Sequence, residues 1–316
     1  MNNQFRSNPD LVAVCYSSSD PKDSVAPPNI SELKVGFNEL LYDEFPPQQW
    51  DSTVRRYLLS RTTNPGDKES KCETDYSLAL QLAGRYLEKQ KITVDVANES
   101  WRFGPTTTVP LKTFSGFYHN LDASGYQIMI NYRQTESPDK IARQINLREI
   151  LDPSLNQKIN PNWIKDHVIL IGVITPSIPD DHNTPYGDMR GLHIHAHVVS
   201  QILSAASDNQ PRPFIVFLPQ WGDLCWIIIW SSIGIISIGL LRLVNPQKVH
   251  KKLSSNLMIT TFSGCYCLSL YWVCCKALTY GYWTPFFPPL TVIISFWVYA
   301  LISQGNQYQP IKKTGI

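Results

Sequence analysis

The stretch LCWIIIWSSIGIISIGLL, Leu224 to Leu241, runs for eighteen residues without a charge and closes at Arg242. With its flanks, that is the length needed to cross about 30 Å of hydrocarbon. Two further runs follow, Leu257 to Cys275, closed by Lys276, and Trp283 to Ile302. The third contains Pro285, Pro288 and Pro289. A proline inside a helix forfeits a hydrogen bond, so the regular part of this run is expected to begin at Pro288 or Pro289, with Trp283, Phe286 and Phe287 extending it at the interface. Buried helices of a large soluble protein share this composition. Three such runs in close succession, with Trp221, Trp226, Trp230, Tyr271, Trp272, Tyr280, Tyr282 and Trp283 near their ends, point instead to membrane spans over 224–242, 257–275 and 285–303.

Worked outward from there, the bulk numbers average two unlike parts. The 316 residues are 43% hydrophobic and 17% charged with a formal net charge of +2, but the charges lie mostly before Pro219, and Asp223 is the single acid from Trp221 onward. A near-neutral balance without a clustered basic face excludes nucleic acid as a partner. Arg242, Lys248, Lys251 and Lys252 fill the loop after the first span, and Lys312 and Lys313 follow the third, whereas only Lys276 lies between the second and third. The positive-inside rule then puts the first loop and a short tail, 305–316, in the cytoplasm. Residues 1–217 fall outside it, the helices occupy 218–304, and the bilayer of the cell membrane is a partner of this multi-pass chain.

The extracytoplasmic part reads as an α/β or α+β layered domain. Leu11 to Cys15 and Val54 to Leu59 have strand character, separated by irregular stretches from Ser17 to Pro28 and from Asp43 to Asp51. Asp75 is placed to cap a helix carrying Leu78, Ala79, Leu82, Ala83 and Tyr86 on one face and ending near Lys89. Ile92 to Val96 is a further strand. Gln127 to Tyr132 and Val168 to Ile171, bounded by Gly125 and Gly172, fit central strands covered on both faces. An amphipathic helix is expected from Leu192 to Ala206, with Pro211 and Pro213 closing the domain. Five of the seven cysteines belong to the spans as small apolar residues. Cys15 and Cys72 are left as either a disulfide, in an oxidising compartment, or two buried thiols.

Several segments, in order, resemble a known family: Gly36-Phe37, Arg55-Arg56, Ser77-Leu78-Ala79-Leu80, Gly125 to Arg133, Asp166 to Gly172, Asp180 or Asp181, Thr184-Pro185, Gly191, Ile194-His195-Ala196 and Gln201-Ile202-Leu203. They are similar to the second type of CHASE sensor domain, over roughly Leu11 to Ile302. The resemblance implies an extracytoplasmic sensory module of bacterial, cyanobacterial-like receptors, followed by three transmembrane helices and working in signal transduction. It also implies a signal anchor and an initial strand and helix ahead of the first residues here, so the chain is expected to be amino-terminally truncated. The Asp-Gly turn before the paired arginines is replaced by Asp51-Ser52-Thr53, and the tail carries no output domain. The functional expectation is a sensory component whose partners are an unidentified extracytoplasmic ligand and either a second copy or a separate cytoplasmic effector. The alternative is a truncated membrane anchor that signals nothing.

His193, His195 and His197 invite a metal reading. On a helix, His193 and His197 share a polar stripe with Ser200 and Ser204 while His195 points towards Val199 and Ile202, so the three cannot converge. A site on His193 and His197 would need Asp180, Asp181 or His182 to complete it. Only His195 fits the family pattern. Asp180, Asp181, Thr184 and His195, with Arg133 at the end of its strand, are the candidate ligand-binding residues, because ligands in layered α/β domains sit beyond the carboxyl ends of strands. The competing reading makes the two aspartates turn formers and has Thr184-Pro185 fix the entry to the helix, and pairs Arg133 with a carboxylate such as Glu149. No phosphate loop, nucleophile elbow, zinc motif or kinase signature occurs. The chain is therefore expected to be no enzyme and to need no cofactor.

Overall fold

A computed structural model describes residues 7–17, 24–27, 34–43, 52–61, 71–152, 154, 159–206, 213–244 and 252–306. Most of the two irregular stretches expected over 17–28 and 43–51, Asp51, Pro211, the basic loop at 245–251 and the tail beyond 306 lie outside the described residues. The chain forms two compact units: Met1–Lys112 with Asp122–Ile215, and Thr113–Leu121 with Val216–Ile316.

The first unit is a mixed α/β structure. Strand β1 (Ala13–Cys15) pairs in parallel with β2 (Val35–Phe37). Strand β3 (Leu41–Asp43), β4 (Thr53–Ser60) and, later in the chain, the strand Tyr126–Met129 form an antiparallel sheet with β4 at its centre. Helix α1 (Leu78–Lys89) follows. Its cap is Ser77 rather than the expected Asp75: the Ser77 hydroxyl accepts from the Leu80 N–H at 3.2 Å, filling one of the orphan positions of the first turn. Gly36 lies against this helix start, where a Cβ would come within 2.5 Å of Leu78 Cα, so the Gly-Phe pair in β2 is a requirement of close approach.

After α1 the chain runs through an antiparallel meander, β5 (Val94–Ala97), β6 (Ser100–Phe103) and β7 (Thr106–Thr107), and then enters β8 (Tyr126–Met129). Gln127 to Tyr132 was expected as a central strand. Instead β8 is the edge of its sheet, with Ile130 N still donating to Arg55 O of β4 at 2.8 Å, and on its other side the Gln201 side chain takes the place of a neighbouring strand. Its Nε2 donates to Met129 O at 3.1 Å and its Oε1 accepts from Asn131 N at 3.0 Å. Val168 to Ile171 forms no strand either. No ladder runs beside it among the described residues, and Ile171 is 91% exposed.

A short helix α2 (Leu147–Leu151), a hairpin of β9 (Asp181–Thr184) and β10 (Gly187–Arg190), and helix α3 (Gly191–Ala206) complete the unit. The hairpin occupies what the sequence presents as a loop. The core lies between α1, α3 and the β4–β8 sheet: Tyr57, Leu59, Ala79, Ala83, Ile128, Ile194, Val198 and Ile202 are buried there. Each large apolar side chain so buried contributes about 1.5–3 kcal/mol. A smaller cluster of Ala13, Cys15, Val35, Phe37, Leu58 and Cys72 contains a Cys15–Cys72 disulfide that closes a separation of 57 residues.

The second unit contains β11 (Val216–Phe217), α4 (Gln220–Val244), α5 (Lys252–Thr279), β12 (Tyr282–Trp283) and α6 (Phe287–Asn306). Within α4 and α5, Gln220–Leu241 and Leu257–Thr279 are long and apolar enough to cross a membrane, whereas the apolar part of α6, Phe287–Tyr299, is shorter. The expected third span over 285–303 is thus reduced: Pro285 precedes the helix, and Pro288 and Pro289 sit in its first turn, where a missing N–H costs nothing. Residues 113–121 join this unit through Phe117, whose ring lies 5.7 Å from that of Trp283 and 6.2 Å from that of Phe217.

Candidate functional site

Helix α3 positions Asp180, His195 and Arg133, but at separate places along it, whereas Asp181 and Thr184 belong to the β9–β10 hairpin. The first residue of α3, Gly191, donates its N–H to Asp180 Oδ2 at 3.1 Å. A carboxylate at this position balances the positive end of the helix. Asp180 Oδ1 lies 3.0 Å from His182 Nε2, and the other ring nitrogen of His182 meets the Tyr42 hydroxyl at 2.8 Å. Asp181 pairs with Arg190 across the hairpin at 3.1 Å. Thr184 is buried and donates to Gly187 O at 2.7 Å while accepting from Tyr186 N at 3.2 Å. Thr184-Pro185 therefore shapes the β9–β10 turn and not the helix entry.

His195 points inward. Its Nδ1 lies 2.9 Å from the Tyr57 hydroxyl, with the two rings edge to face at 5.7 Å. Burial drives the imidazole down to about 4, against the opposing pull of Asp180, and pushes the Tyr57 phenol well above its ordinary range. Desolvation disfavours the charged form of each. A neutral histidine locked to a neutral tyrosine makes a polar pin through the core.

The opposite stripe of α3 was expected to carry a polar surface, yet His193 and His197 are 7% and 1% exposed. The segment after β8 covers them. Arg133 donates its main-chain N–H to His197 Nδ1 at 3.1 Å, which leaves the ring proton on Nε2, 3.1 Å from Pro138 O. His193 Nε2 lies 3.2 Å from Gln144 Nε2, its Nδ1 has no hydrogen-bond partner among the described residues, and burial lowers its pKa. The two histidines thus have different partners. Among the described residues, no three His, Cys, Asp or Glu side chains are grouped to hold a metal ion.

The Arg133 guanidinium lies farther along the same stripe, donating to Ser200 Oγ at 3.1 Å and Ser204 Oγ at 2.7 Å. The expected partner Glu149 instead closes a capping box at the start of α2, accepting from Asn146 N at 2.8 Å. Arg133 and Asp180 therefore act at opposite ends of α3 and do not form one pocket.

Arg55 and Arg56, neighbours on β4, both reach Asp43, at 3.4 and 2.6 Å. Arg56 also donates to Gln127 Oε1 and to Tyr42 O. This buried network ties β3, β4 and β8 together. Tyr57, Tyr42, Gln127 and Gln201 are the residues that sequence reasoning missed as polar partners. The one signal for Gln201 was an amide inside the apolar face of a helix.

A family model for the CHASE2 domain matches residues 1–236, from the first residue through the α/β unit and into α4. The chain belongs to that family. CHASE2 is an extracellular sensory domain found in signalling proteins. No curated protein and no solved structure matches the chain.

Proposed function

We propose that this chain is a membrane-bound sensory component in which residues 1–217 face the extracytoplasmic side and α4, α5 and α6 all cross the bilayer, α6 with help from Trp283, Phe286 and Phe287 at the interface. The observation that carries the reading is the family match, which runs without a break from the α/β unit into the first long apolar helix. Two features support it. The Cys15–Cys72 bridge suits an oxidising compartment. The polypeptide also passes between the two units at 112/113, 121/122 and 215/216, so three covalent connections join them. A ligand that binds one arrangement more tightly would shift the population of helix arrangements by that difference in affinity. Its proposed partner in signalling is a second copy or a separate cytoplasmic effector.

The test is topology. A reporter active only outside the cytoplasm is fused at Pro110 and another after Gln304. An active first fusion with a silent second supports the reading, and a cytoplasmic Pro110 refutes it.

A further inference from the structure

A groove of about 680 Å³ runs along α1, between the helix and the β5–β6 hairpin. That is within the 300–1,000 Å³ typical of small-molecule sites. Its floor is apolar and open: Leu80 is buried beneath it, and Gly84 leaves space in which an added Cβ would meet nothing within 4 Å. Its wall is aromatic. Trp101 is held by donation from its Nε1 to Ser60 Oγ at 3.2 Å and stacks on Phe103 at 6.2 Å, and the ring of Tyr76 stands edge-on to it at 6.0 Å. Two cations, Arg85 and Lys91, and one acid, Glu88, line the groove.

Lys91 is placed at a cost. It follows the last turn of α1 with a φ of 60°, its N–H donating to Glu88 O and that of Ile92 to Leu87 O. Helices end in this way with glycine, which adopts the left-handed conformation without strain. A lysine kept there, at a residue that lines the groove, is backbone strain located at a concave surface, the kind of outlier that marks ligand sites.

We propose that this groove binds a small aromatic carboxylate, free aromatic amino acids included. The flat ring lies on Trp101 across the gap at Gly84, and the carboxylate faces the net positive charge of Arg85 and Lys91. The ring contacts also continue from Trp101 through Phe103 to Phe214, 5.8 Å from Phe103, which shortly precedes α4 in the sequence. The inference rests on the sensory reading for its biological role, but binding is measured independently of it.

Isothermal titration calorimetry of the full chain in lipid nanodiscs, with indole-3-acetate and its cationic counterpart tryptamine as probes and empty nanodiscs as the blank, decides the matter. Indole-3-acetate is expected to bind at least tenfold tighter than tryptamine. Gly84→Leu, which fills the groove at a position where the helix accepts a side chain, should weaken indole-3-acetate binding at least tenfold without lowering the melting temperature. Lys91→Gly should raise the melting temperature and weaken binding, two effects of opposite sign that a purely structural lysine would not give. Absence of saturable binding, equal affinity for both probes, or indifference to Gly84→Leu overturns the proposal. The topology fusions read the sensory assignment separately, so an exported domain that binds neither probe discards the groove alone.

Discussion

The two units are held together by different physics. In the α/β unit, polar side chains do much of the specific joining: Arg56 links three strands, Gln201 completes the edge of β8, and His195 with Tyr57 pins α3 to β4. In the helical unit, the joins are close approaches and single bonds to backbone carbonyls. Gly234 lets α6 come so near that a Cβ would overlap Ile293 Cδ1 at 1.9 Å, and Trp226 Nε1 donates to Pro285 O at 3.0 Å. The difference follows from composition. In the bilayer proposed for them, apolar helices would gain little from hydrophobic burial and would associate through small residues and interhelical bonds. A water-facing domain gains from burial, and it must satisfy every polar group it encloses.

The contrast can be broken first at the disulfide. Bridging residues 57 apart removes unfolded-state entropy corresponding to about 4 kcal/mol. Cys15→Ala with Cys72→Ala should therefore lower the urea midpoint of the α/β unit sharply and leave the helical transition where it was. A common shift in both transitions would show that the units unfold as one.

Next in size is pH. His195 titrates near 4 in the fold against an ordinary 6.5, so between these values the unfolded chain binds the additional proton. Stability is then level above pH 6.5 and falls as the pH drops towards 4, by about 3 kcal/mol in total. Urea unfolding at stepped pH measures the slope. His195→Gln should remove its share of the slope, at the expense of the Tyr57 hydrogen bond, and leave the part due to His193, whose pKa burial also lowers.

Overfilling the helical unit with Gly234→Leu should cost about 1–3 kcal/mol, read as a lower melting transition of the helices in nanodiscs with the α/β unit unchanged. The smallest effect is a gain. Lys91→Gly relieves a left-handed residue at the end of α1 and should stabilise the α/β unit by about 1 kcal/mol, measured by its thermal midpoint.

The residues that were legible in the sequence are those whose role is local. Uncharged runs identified α4 and α5, period and termini located α1 and α3 to within a residue or two, and the ordered motifs carried the family. Apolar, strand-like composition marked β1, β4 and β5. Other local readings failed where a partner decided the outcome. Val168 to Ile171 has the composition of a buried strand, but an extended segment becomes a strand only when another chain segment takes up its N–H and C=O groups. Asp75 and Ser77 are both competent caps, and the approach of β2 at Gly36 belongs to the start set by Ser77.

The sequence by itself therefore determined the division into a charged α/β part and an apolar helical part, together with the CHASE2 membership, because composition and motif order are properties of the chain alone. Only the tertiary structure decided what the candidate residues do. Asp180 went to the cap of α3, Arg133 to two serines at the other end, and His193, His195 and His197 to three different partners. The direction a side chain faces, and what it meets there, depends on segments tens of residues away. The groove over Gly84 is of the same kind, an arrangement of α1 and a hairpin that no single stretch encodes.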